Sequence, residues 1–107
     1  MDHGISAKLY SYESEASVIG GMLIDDSLIG TTSLSESHFY SKVHGMMFAA
    51  CQALYMRRER VDLVTLCNEL DRRDQLDLVG GMSYVIEVMK NTPSAANFSA
   101  YQNEILS

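Results

Sequence analysis

The chain has 107 residues, 47% hydrophobic and 21% charged, which suits one globular domain able to bury roughly 60–70% of its unfolded surface without staples and excludes a disordered segment. Eight Lys+Arg against 14 Asp+Glu leave a net charge of −6. That balance argues against direct tracking of nucleic acid, which needs a basic stripe to displace the counterions of the phosphates.

Residues 1–10 show no clear period and read as a flexible arm, with the domain expected over residues 11–107. Their start lacks the basic and apolar regions of a signal peptide, and no apolar run approaches the ~18–20 residues of a membrane helix. The chain therefore reads as cytoplasmic. Ser11 offers an N-cap, and Glu13 and Glu15 put negative charge in the first turn, where the helix dipole favours it. Ala16, Ile19, Gly20 and Leu23 then keep helical spacing to about residue 24. Gly20-Gly21 inside that helix costs about 1 kcal/mol per glycine relative to alanine, a cost that close approach of another helix would offset.

Asp25-Asp26 cap a short helix through Ile29, and residues 35–40 read as a turn or short helical piece. Ser41 caps the longest segment, about 42–58, where Val43, Met46, Met47, Ala50 and Leu54 hold the 3.6-residue period. Arg57-Arg58 stand at its negative end. Asp62 caps a helix carrying Leu63, Leu66, Cys67 and Leu70, closed by Arg72 and Arg73. Gly80-Gly81 open another, whose predicted inner stripe is Met82, Val85, Ile86 and Met89. Asn91 is expected in the left-handed position after it, with Pro93 as a stop. A last helix, about 95–106, sets Phe98, Tyr101 and Ile105 on one side. No stretch alternates like a strand and no repeat is present. The prediction is all-α, a compact bundle of five or six short helices.

The chemistry that these residues exclude is as informative. Lys8, Lys42 and Lys90 follow no glycine, so there is no phosphate loop, and the chain is not expected to be an enzyme by itself. His38, His44, Cys51 and Cys67 lack the tight spacing of a metal set, and both cysteines read as buried free thiols. No cofactor is expected in this domain. The cluster Arg57-Arg58-Glu59-Arg60 reads first as a solvated helix end and second as a contact for phosphate or an acidic partner.

Several spaced motifs in one order nonetheless resemble a known family. Residues 13–25, Glu-Ser-Glu-Ala-Ser-Val-Ile-Gly-Gly-Met-Leu-Ile-Asp, look like the opening helix of the N-terminal domain of DnaB-type replicative DNA helicases. His38-Phe39-Tyr40 with His44 resembles the corner into its longest helix, and Val61-Asp62-Leu63-Val64-Thr65-Leu66 its next cap. Leu76 through Gly81, Tyr84, residues 91–97 and Tyr101 match its closing section. The resemblance covers about residues 11–106. Two departures stand out: Met82, where the family often carries an aromatic, and a short segment before residue 11, as in phage, plasmid or divergent versions.

What this resemblance implies is a catalytically inert helical domain that pairs with its own copies, forms the collar of a helicase hexamer, and docks primase or a helicase loader during DNA replication. ATP and Mg would belong to a motor domain further along the parent chain, beyond a helical hairpin also absent here. Gly81, Met82, Tyr84, Val85, Phe98 and Tyr101 are the candidate interface residues, with no catalytic or metal residue among them. The alternative expectation is a free-standing mimic that binds and modulates a host replicative helicase.

Overall fold

The computed structural model describes the backbone of residues 3–107 and the side chains of residues 11–107. Residues 1–2, where the predicted arm begins, lie outside the described residues. In order come α1 (His3–Ile24), a 3-10 turn (Asp26–Gly30), a second 3-10 turn (Glu36–His38), α2 (Lys42–Met56), α3 (Leu63–Arg72), α4 (Gly81–Lys90) and α5 (Phe98–Leu106). There is no strand among the described residues. The fold class is all-α, as the periodicity predicts.

The first helix opens at His3 rather than at the Ser11 cap. A serine can cap, but nothing in Ser6-Ala7-Lys8-Leu9 stops a helix from running through it. The glycine pair in α1 does what its cost implies. A Cβ on Gly20 would sit 2.0 Å from Thr92 Oγ1, and one on Gly21 would sit 3.1 Å from the Phe98 ring. Thus α1 lies directly against the α4–α5 turn and the first residue of α5.

The C-termini of α2 and α3 and the turn before α4 share one geometry. Glu59 N donates to Leu54 O (3.0 Å), Gln75 N to Leu70 O (2.8 Å) and Gly81 N to Leu76 O (2.8 Å), the six-to-one bond of a Schellman turn. The left-handed residue in each is Arg58 (φ 63°), Asp74 (φ 58°) and Gly80 (φ 106°). Asn91, expected to play this part after α4, instead has φ −85°. The helix there ends in an ordinary right-handed turn, and the Thr92 hydroxyl donates to Val88 O at 2.9 Å, satisfying one terminal carbonyl without a left-handed residue.

The core runs from Val18, Ile19 and Met22 of α1 through Met47, Phe48 and Leu54 of α2 to Leu66 and Leu70 of α3 and Val85 and Val88 of α4. Each such large side chain removed from water contributes about 1.5–3 kcal/mol before the cost of ordering it. The face of α4 differs from the predicted one: Val85 and Val88 are buried, while Met82 and Ile86 point outward. The predicted stripe fitted helical spacing, but so does one rotated to pass through Tyr84, Val85 and Val88. Packing against α1 and α3 selects the second.

Candidate functional site

The six candidate residues divide between core and surface. Val85 and Phe98 are buried in this chain's own core and offer nothing to a partner, which corrects their assignment. Phe98 is held there by the glycine gap at Gly21. Gly81, at φ +74°, is half-buried and opens α4. Tyr84 and Tyr101 are half-buried and pack partly on the core. They share with Tyr12 a groove of about 510 Å³ between α1, α4 and α5, whose charged walls are Glu13 and Glu87.

Of the six, Met82 is the one that is open to solvent, and it has two apolar neighbours in sequence. Leu78 is 63% exposed, Met82 48% and Ile86 37%. Met82 and Ile86 are four apart on α4, the spacing that keeps helical side chains on one face, and Leu78 lies in the turn before it.

Tyr84 is tied into a polar chain. Glu15 and His44 are both buried. The Glu15 carboxylate accepts from Tyr40 N (2.5 Å), Ser41 N (3.2 Å) and His44 Nδ1 (2.9 Å). A carboxylate only accepts, so Nδ1 carries the proton. On the other side Tyr12 donates to Tyr84 OH (2.8 Å), and that hydroxyl stands 2.6 Å from His44 Nε2. Both imidazole nitrogens are thus engaged, Nδ1 with Glu15 and Nε2 with the Tyr84 hydroxyl. Burial, and then the Tyr12 hydrogen bond, push the Tyr84 phenol well above the ordinary tyrosine range, so it stays protonated. The Glu15 charge lies at the N-terminus of α2, where free N–H groups and the helix dipole welcome it. Glu15 is thus a cap supplied from another helix, in place of its expected role as a first-turn charge of α1, which begins at His3.

A second buried carboxylate lies at the far ends of α2 and α3. Glu69 accepts from Arg57 Nη2 (2.8 Å), Arg72 Nη2 (2.7 Å) and Arg73 Nε (2.9 Å), while Arg57 Nε also donates to Glu59 (2.8 Å). The Arg57 bonds, partly opposed by burial, hold the Glu69 carboxyl well below the usual carboxylate range. Arg57, expected as a solvated helix end, is instead the clasp that joins α2 to α3.

Cys51 and Cys67 are free and buried. Burial pushes the Cys51 thiol up to about 12 and raises Cys67 as well, so neither supplies a thiolate near neutrality. His44 has no free nitrogen for a thiol. Exposed His38 closes its own turn, accepting from Ser35 N at 2.9 Å through Nδ1. Among the described residues no group of three or more His, Cys, Asp or Glu could hold a metal, and no helix is long and apolar enough to cross a membrane.

Sequence reading missed Glu15, Glu69 and Tyr12. A signal for the first two was present. Glu15 is followed at i+3, i+4 and i+7 by Val18, Ile19 and Met22. Glu69 sits among Leu66, Cys67 and Leu70 with Arg72 and Arg73 at i+3 and i+4. A carboxylate inside an apolar stripe needs partners.

Comparison with known proteins bears on what such a surface is for. The family described as "DnaB-like helicase N terminal domain" matches residues 7–107. The chain is 38% identical over 94 residues to the replicative DNA helicase DnaB of Treponema pallidum, covering 86% of this chain and 22% of the relative. It is 33% identical over 93 residues to that of Buchnera aphidicola, covering 85% and 20%. The chain thus spans about a fifth of the length of these curated relatives. Among solved structures it resembles the N-terminal domain of DnaB helicase from Mycobacterium tuberculosis, with a TM-score of 0.84 and 35% identity, over 88% of this chain and 67% of that one.

Proposed function

The chain belongs to the family of DnaB-like helicase N-terminal domains, and from that premise we propose that it serves a replicative DNA helicase as an oligomerisation and partner-docking domain. In this reading it helps to build the collar of the hexamer and receives primase or a helicase loader. ATP hydrolysis and DNA unwinding are assigned to a motor elsewhere in the parent protein, since this chain contains no phosphate loop.

The observation that carries the reading is the outer side of α4. Met82 and Ile86 of α4, with Leu78 in the turn before it, stand in solvent, and the other side of the helix is anchored in the core through Val85 and Val88. Apolar side chains repeated at helical spacing and held on a rigid element suit a docking face. The net charge of −6 supports protein partners over direct contact with DNA.

The test is calorimetric titration of the chain with the primase and the loader of its own replication system, with Met82→Glu as control. The reading expects at least one of them to bind, and that affinity to fall roughly fivefold or more when a charge is placed at a docking hot spot. No heat with either partner contradicts the docking role.

A further inference from the structure

All five arginines of the chain fall between residues 57 and 73, at the corner where α2 ends and α3 begins and ends. Residues 57–74 contain as many acids as arginines and are neutral, so the rest of the chain carries the whole charge of −6. The corner thus gathers all of the chain's arginines, and three features make it more than a solvated helix end.

First, one carboxylate serves three guanidinium groups. Glu69 neutralises a single positive charge, and Glu59 takes a second through Arg57. One charge of the Arg57–Arg72–Arg73 set remains without a counter-charge. The guanidinium planes are already fixed by Glu69, so less side-chain freedom is lost when they bind something further.

Second, Arg58 occupies the left-handed region at φ 63°, where glycine is the undemanding residue and a side chain costs about 1 kcal/mol. It forms no ion pair with any described residue, and Arg60 reaches only Asp62, at 3.5 Å. A charge held at a strained position and left unused by the fold points to use by something else.

Third, the surface here is concave. One hollow, of about 590 Å³, has Arg57, Arg72, Thr65 and Asn68 on its walls. A second, of about 510 Å³, has Arg58, Arg60, Tyr55 and Met56. Glu59 lines both, Glu69 the first and Asp26 the second; Glu69 and Glu59 are already engaged by arginines.

We propose that this α2–α3 corner is a docking surface for a short acidic peptide segment of a partner protein, whose carboxylates are received by Arg58, Arg60 and Arg72. A nucleic acid fits it less well. A strand continuing past the corner would follow the rest of a chain that carries the whole net charge of −6 and would be repelled there, whereas a short peptide need not extend so far. The inference rests on different residues from the α4 face and does not depend on the role assigned to that face.

The experiment is fluorescence anisotropy of a labelled acidic decapeptide titrated with the chain at low salt. A decapeptide with Gln and Asn in place of its acids and an oligothymidylate of similar length are run in parallel. The acidic peptide is expected to bind, with an affinity that salt weakens, and the neutral peptide is not. The double variant Arg58→Gly/Arg72→Gln should weaken binding roughly fivefold or more. Arg58→Gly alone should weaken it while raising the unfolding midpoint, which separates lost contact from lost fold. The proposal is overturned if the acidic peptide does not bind, if the double variant binds it equally well, or if oligothymidylate binds more tightly and is lost in the same variant.

Discussion

Glu15 and His44, from α1 and α2, meet at 2.9 Å inside the protein, and through His44 Nε2 the contact continues to Tyr84 on α4 and Tyr12 at the surface. The chain of four polar groups fixes three helices relative to one another. Glu15→Gln puts an amide where three donors converge. It should cost about 2–4 kcal/mol, in the range for breaking a buried charged contact. Tyr84→Phe removes only the hydroxyl and should cost about 1–2 kcal/mol, and Tyr12→Phe, nearer solvent, no more than about 1 kcal/mol. Urea denaturation of the three variants checks that ranking, and equal effects would contradict the order of burial along the chain.

The Glu69 clasp gives stability a dependence on pH. The folded carboxyl is depressed below its ordinary value of 4.5. Its contribution is therefore fully present above the unfolded value and is lost as pH falls through the folded one. Unfolding midpoints of the chain and of Glu69→Gln should differ most near neutrality and converge as the solution is acidified below about pH 4. A gap that stays constant through that range would contradict the clasp.

Two glycine exchanges should act in opposite directions. Gly20→Ala gains helix propensity but drives a methyl into Thr92, whose hydroxyl would lie 2.0 Å away, and should destabilise by about 1–3 kcal/mol as overpacking does. Arg58→Gly relieves the left-handed residue after α2 and should stabilise by about 0.5–1 kcal/mol. Thermal unfolding of the pair reads both signs.

Both thiols should be silent in the folded protein. With Cys51 pushed up to about 12 by burial and Cys67 buried beside it in the core cluster, a disulfide-exchange reagent should react with neither at neutral pH and with both after denaturation. Prompt reaction of the native chain would reopen a nucleophilic role.

Helix count, order and most of the core were legible in the sequence, because apolar spacing and caps such as Ser41 and Asp62 speak locally. Gly20-Gly21 even forecast a close neighbour, though Thr92 and Phe98 as that neighbour required the fold. The orientation of α4 was not legible. Met82, Ile86, Val85 and Val88 are all apolar, and two rotations satisfy the same period, so tertiary packing decides. The interface assignment inherited that ambiguity, placing Val85 and Phe98 outside when both are core. The roles of Glu15 and Glu69 were missed for a related reason. Charge suggests solvent until distant partners are known, and those partners lie 29 residues away for His44 and 12 for Arg57.

Sedimentation equilibrium of the chain beside the Met82→Glu/Ile86→Glu variant tests the outer side of α4 as a docking face. Reversible self-association should increase with concentration and be lost in the variant, while circular dichroism shows the helices unchanged. A chain that stays monomeric at the highest concentration reached, or a variant that associates as strongly as the original, would contradict it.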